Sequence, residues 1–208
     1  MDAGPYTVSD VMTHAVVAVG RETRFKDIVT LMERWQVTAV PVLEGDGRVI
    51  GVVSEADLLP KEEFRDSAPD RVVQRERLAD LAKAGALTAG EAMSTPAVTV
   101  HADATLPEAA RIMARRRVKR LYVIDGEGFL EGVVSRADLL KVFLREDGEL
   151  AGEVRRVIVP VTDGRLGVEV ADGVVTLTGS TVVDTAERLA RTVEGVVGVR
   201  CRLVPTAP

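Results

Sequence analysis

Apolar and polar positions follow the same order twice along this chain. In each copy a short alternating stretch, AVVAV or AVTV, predicts a strand, and RFKDIVTLMERWQ or TLPEAARIMARRR then places apolar side chains on one helical face. Two further strands follow, AVPVL to RVIGVVS and RLYVID to FLEGVVS, joined by the turns EGDG and DGEG. SEADLL and SRADLL begin a last helix, with Ser54 and Ser135 as N-cap candidates. The pattern predicts the order β-α-β-β-α twice.

A shift of 81 residues superimposes the two copies. Thr7–Leu59 aligns with Thr88–Leu140 without a gap, and 18 of the 53 positions are identical. The strongest match is GVVSEADLL against GVVSRADLL. The chain therefore contains an internal duplication.

The segment between the copies has no counterpart inside the aligned blocks. It reads PKEEFRDSAPDRVVQRERLADLAKAGAL, and its second half, RVVQRERLADLAKAGAL, has a helical pattern that ends near Gly85. We interpret it as a connecting helix. A helix that shields a cleft or a dimer face is the alternative, and the sequence leaves it open.

A third unit follows Leu140. ELAGEVRRVIVP predicts a helix that stops by Pro160, and RLGVEV and GVVTLTG predict a hairpin through Asp172-Gly173. STVVDTAERLARTVEG predicts an amphipathic helix, and VVGVRCRLV predicts a final strand. The order is α-β-β-α-β, so the whole chain is expected to be an α/β (α+β) protein.

Composition and charge indicate a globular chain of 208 residues, 46% hydrophobic and 28% charged. No apolar run approaches the roughly 20 residues of a membrane-spanning helix. The N-terminus lacks a secretory pattern and Cys201 is the single cysteine, so we expect a reduced, cytoplasmic protein. A net charge of -5 argues against a general nucleic-acid binder. The basic run ARRRVKR is either a solvated helix end or, as the alternative, a nucleic-acid contact.

Catalytic and metal-binding patterns are not visible in the sequence. His14 and His101 are the only histidines, and neither has a cysteine or a paired carboxylate at ligand spacing. No nucleophile and base stand at recognisable spacing. We expect neither a catalytic residue nor a metal, and the protein is predicted not to be an enzyme.

The Ser-x-x-Asp element closing each repeat, Ser54 to Asp57 and Ser135 to Asp138, has two interpretations. It is an ordinary capping box with Asp in the Glu position. Alternatively, the hydroxyl and nearby amides meet a phosphate while the carboxylate accepts hydrogen bonds from ribose. Local chemistry alone does not decide between them.

The complete repeated unit resembles the CBS domain, named after cystathionine β-synthase, and the tandem pair resembles a Bateman module. The resemblance rests on the M-T/S opening, the helix, VPV or YVI, the glycine-rich hairpin and GVVSxADLL. It implies two repeats packed about a pseudo-twofold axis, with two clefts for AMP, ADP, ATP or S-adenosylmethionine. It also implies a regulatory sensor and a homodimer formed through the CBS domains.

Site residues follow from that resemblance position by position. Asp57 and Asp138 are implied to hold ribose, and Ser54 and Ser135 to lie near phosphate or ribose. Base and phosphate positions fall on residues preceding the hairpin strands, and Thr13 and Thr95 are weaker candidates. The preceding residues are Val37 and Thr38 in the first repeat and Val118, Lys119 and Arg120 in the second.

The repeats differ where the second has Lys119-Arg120 and the first has Thr38-Ala39. Cationic donors bind phosphate through charge-assisted hydrogen bonds. We therefore expect the cleft that uses Lys119 or Arg120 to prefer phosphorylated nucleotides, and the other cleft to be weaker, empty or neutral in preference.

The last segment, carried mainly by GVVTLTG and GVVGV, resembles the BON domain, named for bacterial OsmY and nodulation proteins. The predicted domains are residues 1–64 (CBS repeat 1), 65–87 (helical linker), 88–145 (CBS repeat 2) and 146–208 (BON domain). Periplasmic relatives of the BON domain have been linked to phospholipid. Residues 146–208 carry seven basic and ten acidic side chains, a net charge of -3, which favours a protein partner over an anionic lipid surface.

The sequence is compatible with four functions. The leading hypothesis is a non-enzymatic sensor of adenosine-containing ligands that transmits binding to the BON domain or to a partner. The alternatives are a structural dimerisation protein with empty clefts, a phospholipid-associated stress protein acting through the BON domain, and a nucleic-acid binder using ARRRVKR.

Overall fold

The computed structural model describes residues 6–65, 77–179 and 184–204. The chain divides into two compact units, one spanning Thr7–Arg136 and the other containing Tyr6 together with residues from Ala137 onward. Part of the predicted linker helix and the start of the predicted tail helix, residues 71–76 and 180–183, lie outside the described residues.

The first repeat contains the predicted β-α-β-β-α order. Its elements are α1 (Val8–Val11), β1 (Val19–Gly20), α2 (Phe25–Trp35), β2 (Ala39–Leu43), β3 (Val49–Ser54) and α3 (Glu55–Leu58), followed by α4 (Pro60–Glu63). Strand β1 is parallel to β2, and β2 is antiparallel to β3, with Val42 opposite Gly51. The core includes Ile28, Met32, Val40 and Val53. In the linker, α5 spans Leu78–Ala84.

The second repeat has the same order and the same registers. Its elements are α6 (Ala89–Ala92), β4 (Thr99–Val100), α7 (Leu106–Arg116), β5 (Arg120–Ile124), β6 (Leu130–Ser135) and α8 (Arg136–Leu140). Val123 lies opposite Gly132, as Val42 lies opposite Gly51. The first strand of each repeat has only two residues, fewer than the alternating pattern predicts.

The opening segments of the two repeats are exchanged. Thr13 pairs with Val133 of the second repeat, and Ser94 pairs with Val52 of the first. Ala89 and Ala92, at the start of the second repeat, are buried in the core of the first repeat. Neither repeat therefore packs as an independent unit.

Glycine in GVVS permits this exchange. A Cβ at Gly51 would lie 2.6 Å from Met93 Sδ and 3.0 Å from the Ser94 carbonyl oxygen. A Cβ at Gly132 would lie 2.9 Å from Met12 Sδ and 3.0 Å from the Thr13 carbonyl oxygen. The two glycines therefore allow the other repeat's opening segment to approach the sheet closely.

The second compact unit has the predicted order α-β-β-α-β. After a 3-10 turn at Lys141–Leu144 come α9 (Asp147–Thr162), β7 (Gly167–Ala171), β8 (Val174–Gly179), α10 (Asp184–Thr192) and β9 (Gly198–Leu203). The sheet order is β7-β8-β9, with β8 parallel to β9. Asp172 and Gly173 both have positive φ in the β7–β8 turn, as a tight hairpin requires.

Pro160 does not stop the helix as the sequence predicts, because α9 continues to Thr162. Ile158 and Thr162 are both buried, and the Thr162 hydroxyl donates to the Ile158 carbonyl at 2.9 Å. Pro160 removes only one amide donor near the helix end, and this packing holds the last turn.

Among the described residues, no helix is both long and apolar enough to cross a membrane.

Candidate functional site

A cleft of about 480 Å³ lies within the unit formed by residues 7–136. Both repeats contribute to it, so Asp57 of the first repeat and Lys119 of the second line one cavity. The remaining lining residues are mostly apolar or basic: Thr38, Ala39, Val52, Ser54, Glu55, Ala56, Ser94, Pro96, Ala97, Val98, Arg117, Val118, Arg120 and Tyr122.

Ser54 and Asp57 take their positions from the end of β3 and the start of α3. Ser54 is the N-cap residue, and Asp57 is the third residue of the helix. One carboxylate oxygen of Asp57, Oδ2, accepts hydrogen bonds from the Ser54 amide at 2.7 Å and the Ser54 hydroxyl at 2.5 Å. The structure therefore contains the acidic half of a capping box, inside the wall of the cleft.

The other carboxylate oxygen of Asp57 binds groups from distant parts of the chain. Oδ1 accepts from the Ser94 hydroxyl at 2.8 Å and from the ammonium of Lys83 in the linker helix α5. Asp57 is only 7% exposed. Burial raises its pKa, but the hydrogen bonds from Lys83, Ser54 and Ser94 outweigh burial and hold the pKa of Asp57 below the ordinary value. The carboxylate is thus charged at neutral pH.

Three basic residues of the second repeat line the same cleft. The Arg120 side chain is already hydrogen-bonded to the first repeat. Its guanidinium donates to the Thr38 hydroxyl at 2.6 Å and to the Ala39 carbonyl at 3.3 Å. In the described part of the chain, the side chains of Arg117 and Lys119 have no such hydrogen bond or ion pair. They are the cations of the cleft that remain available to an anion.

Tyr122 in β5 contributes a buried hydroxyl to the cleft wall. The residue is 2% exposed, and its hydroxyl has no hydrogen-bond partner among the described residues. Burial raises the pKa of Tyr122 to about 12, against a smaller opposing effect of Arg120. The phenol is therefore neutral at physiological pH.

The remaining sequence-predicted residues lie apart from this cavity's lining. Val37 packs against the core of the first repeat and lines a separate groove with Phe25 and Met32. Thr13 is engaged in its backbone bridge to Val133. The Thr95 hydroxyl donates to the Ile50 carbonyl at 2.9 Å. Thr95 itself does not line the cavity, although its sequence neighbours Ser94 and Pro96 do.

Ser135 and Asp138 stand at the end of β6 and in α8. Asp138 forms an ion pair with Lys141, three residues later, at 2.6 Å. Its side chain is 16% exposed, whereas that of Lys141 is 55% exposed. The chain passes from one compact unit to the other between Arg136 and Ala137.

Sequence reasoning missed Ser94, Arg117, Tyr122 and Lys83. The first three lie in or beside aligned motifs, so the exchanged packing of the repeats was the missing information. Lys83 belongs to the unmatched linker, and no local pattern marks it as a partner of Asp57. Across the residues that the structure describes, no group of three or more His, Cys, Asp or Glu side chains could hold a metal ion.

Comparison with known families identifies the two repeats. The CBS domain model matches residues 8–61 and 89–145, which is more than half of the chain. The chain belongs to the CBS-domain family and contains a tandem CBS pair, the Bateman module that the repeat predicts. The residues from 146 onward lie outside the matched ranges.

Individual relatives are similar over this pair. The uncharacterized protein MJ1426 of Methanocaldococcus jannaschii is 27% identical over 153 residues, which cover 66% of this chain and 90% of that protein. The chloroplastic CBS domain-containing protein CBSX2 of Arabidopsis thaliana is 30% identical over 155 residues. That alignment covers 68% of this chain and 65% of CBSX2.

Solved structures show the same architecture. The crystal structure of CBSX2 in complex with AMP matches with a TM-score of 0.58 at 29% identity, covering 67% of this chain and 97% of that one. The CBS pair of protein MJ0100, solved with 5-methylthioadenosine and S-adenosyl-L-methionine, matches with a TM-score of 0.52 at 15% identity and shares the fold.

Proposed function

We propose that this protein is a non-enzymatic regulatory sensor that binds an adenosine-containing ligand in the cleft lined by Asp57 and Lys119. The ligand is AMP, ADP, ATP or S-adenosylmethionine. The observation that carries this proposal is the meeting of a buried, charged carboxylate and two uncommitted cations in one cavity of about 480 Å³. A nucleotide has the complementary parts: a ribose diol for the carboxylate, a phosphate anion for the cations, and a flat apolar base.

Each part of the ligand has a complementary part of the cleft. Asp57 and Ser54 supply acceptor and donor groups for ribose hydroxyls. Lys119 and Arg117 supply cationic donors for phosphate. Val52, Pro96 and Val98 supply apolar surface for a base.

The solved relatives support the ligand class. CBSX2 was crystallised with AMP, and the CBS pair of MJ0100 with 5-methylthioadenosine and S-adenosyl-L-methionine. These ligands share an adenosine portion and differ in charge. The shared portion is the part that we assign to Asp57 and the apolar wall.

We retain the prediction that this cleft prefers phosphorylated ligands, but we change the residues assigned to the phosphate. Arg120 already bonds Thr38 and Ala39, so Lys119 and Arg117 are the better phosphate donors. We therefore propose that Lys119 distinguishes AMP from adenosine. Thr38 lines the Asp57 cleft, where its hydroxyl accepts from Arg120. Val37, Thr13, Ser135 and Asp138 keep, as a proposal, the roles that the CBS resemblance implies.

Isothermal titration calorimetry of the full chain with AMP, ADP, ATP and S-adenosylmethionine tests the proposal. We expect micromolar binding of at least one ligand. Asp57→Asn should weaken binding by about tenfold or more, since a hydrogen bond to a charged group is worth about 1.5–3 kcal/mol. Asp138→Asn, tested in parallel, reports on the other half of the pair.

Lys119→Met separates the phosphate from the nucleoside. It should weaken AMP binding severalfold and leave adenosine binding unchanged. Glu131→Gln, an exposed change in β6, serves as the control. The sensor proposal fails if no adenosine-containing ligand binds the wild-type chain at millimolar concentration.

The second compact unit is proposed as the output of the sensor. Its α-β-β-α-β order and the GVVTLTG and GVVGV strings support a BON-type module. We propose that it contacts a protein partner, with a phospholipid surface as the alternative. Co-sedimentation with anionic liposomes tests that alternative, and binding there would replace the protein-partner proposal.

An exposed apolar surface on the first repeat favours a second candidate function, structural dimerisation. Val29, Trp35 and Leu59 are exposed, and Val29 and Leu59 line a groove of about 750 Å³ beside α2 and α4. We propose a homodimer through this surface. Sedimentation equilibrium of the wild type and of Trp35→Glu tests it, and a monomeric wild type would reject it.

A further inference from the structure

Lys83 reaches Asp57 from outside both CBS repeats. It lies in α5 of the linker, 26 residues after Asp57 in the chain, and its ammonium contacts both the Asp57 carboxylate and the Ser94 hydroxyl, the latter at 2.8 Å. Asp57 and Ser94 line the cleft. The side chain of Lys83 is only 19% exposed. The linker therefore inserts a cation beside the residue that our proposed function assigns to ribose.

The Asp57 carboxylate accepts four hydrogen bonds from protein groups. Two come from Ser54, one from Ser94 and one from Lys83. A carboxylate has about four lone-pair positions. A ribose diol can bind Asp57 only by replacing one of these donors, and Lys83 is the one donor that does not come from a repeat.

Helix α5 is held by polar contacts more than by apolar burial. None of its residues is buried, and Leu78 is largely exposed. Besides Lys83, its attachments include the Lys61 ammonium bonding to the Ala84 carbonyl at 2.9 Å. At its start, the Arg77 guanidinium bonds to Glu63 at 2.9 Å. An element with few buried apolar contacts opens at low free energy.

We propose that Lys83 competes with ribose for Asp57, so that ligand binding releases the linker helix α5 from its contact with Asp57. This inference rests on the proposed function, because it assigns the ribose position to Asp57. It gives the linker a regulatory role, in which α5 contacts Asp57 through Lys83 and leaves it when the ligand binds. The ligand class is any compound that presents a vicinal diol to the carboxylate.

Lys83→Met tests the competition, because methionine keeps the length and helix preference of lysine and removes the charge. Lys61→Met is the matched control, since Lys61 also holds α5 but does not touch Asp57. Adenosine is the probe, because it has the diol and no phosphate. Circular dichroism first establishes that both variants are folded.

We expect Lys83→Met to bind adenosine about fivefold more tightly than the wild type, because the ligand no longer displaces an ammonium. Lys61→Met should change adenosine affinity less than twofold. Unchanged or weaker adenosine binding by Lys83→Met overturns the inference. A loss of AMP affinity with unchanged adenosine affinity also overturns it, because Lys83 would then be a phosphate donor.

Hydrogen exchange of the wild-type chain provides a second readout. Saturating adenosine should accelerate amide exchange in Leu81–Ala84, because the helix loses its attachment to Asp57. Slower or unchanged exchange overturns the inference while leaving the sensor proposal intact. If neither the wild type nor Lys83→Met binds adenosine, AMP or S-adenosylmethionine, the proposed function itself fails and the competition fails with it.

Discussion

Asp57 and Asp138 occupy the same position in two copies of one motif, yet they have different lysine partners. Asp57 binds Lys83, a 19% exposed residue of the linker, whereas Asp138 binds Lys141, a 55% exposed residue three positions later. The first pair is nearly enclosed, and the second faces solvent on its lysine side. Identical local sequence therefore acquires different electrostatics from chain segments that lie outside the motif.

The repeats also divide their chemistry unequally across one cavity. The first repeat contributes the carboxylate and Thr38, and the second contributes Lys119, Arg120 and Tyr122. Their aligned counterparts are not interchangeable, since Pro41 stands where the second repeat has Tyr122. Duplication has produced a shared frame in which the two copies carry different functional groups.

The largest effect is expected from Asp57→Ala. It leaves Lys83 in a poorly exposed position without its carboxylate and removes an acceptor from Ser54 and Ser94. Breaking a buried pair in this way costs about 3–5 kcal/mol of unfolding free energy. Urea denaturation measures the loss, with the exposed neighbour Glu55→Ala as control. A loss below about 1 kcal/mol would contradict the enclosed environment of Asp57.

The same carboxylate should give a pH signature. The pKa of Asp57 is lowered in the folded protein by its hydrogen bonds. Its contribution is therefore complete above the unfolded-state pKa and is lost as the pH falls from about 4 downward. Acid unfolding of Asp57→Asn should lack this component, and identical acid profiles for the wild type and the variant would contradict it.

Gly51→Ala and Gly132→Ala test whether the exchanged contacts are equally close in the two repeats. Each added methyl group would press against a methionine sulfur and a backbone carbonyl of the opposite repeat's opening segment. Overpacking of this kind costs about 1–3 kcal/mol of unfolding free energy. We expect similar losses of unfolding free energy at both positions. Gly45→Ala and Gly126→Ala, where a Cβ meets nothing within 4 Å, are the controls. Unequal losses would show that the exchanged contacts differ.

Lys83→Met and Lys141→Met test whether the two carboxylates differ in how strongly they bind their lysine partners. Removing the enclosed Lys83 should cost about 1.5–3 kcal/mol, since a hydrogen bond to a charged group is lost. Removing the exposed Lys141 should cost at most about 0.5 kcal/mol, because solvent screens that pair. Thermal and urea unfolding measure both, and equal costs would remove the distinction between the two halves.

The smallest effect is expected from Tyr122→Phe. The Tyr122 hydroxyl is buried without a partner among the described residues, so its removal breaks no hydrogen bond there. Unfolding free energy should stay the same or rise by up to about 1 kcal/mol. Tyr122→Ala is the contrasting variant, because it also removes the packed ring. A clear loss of stability in Tyr122→Phe would indicate that the hydroxyl is paired in solution.

The duplication, the element order and the family could all be predicted from the sequence. Apolar periodicity and the offset of 81 residues gave β-α-β-β-α twice, and the hairpin glycines marked the turns, because these features depend on neighbours along the chain. The Ser54–Asp57 cap is equally local. The end of α9 beyond Pro160 is an exception, because buried Ile158 and Thr162 outweigh the local signal.

The groups that meet in the cleft are set by long-range packing and could not be predicted from the sequence. The exchange of opening segments brings Ser94 to Asp57, and the docking of α5 brings Lys83 to the same carboxylate. Arg120, a phosphate candidate in the sequence, is instead committed to Thr38 and Ala39. Contacts between residues this far apart in the chain depend on packing, which leaves no periodic trace in the sequence.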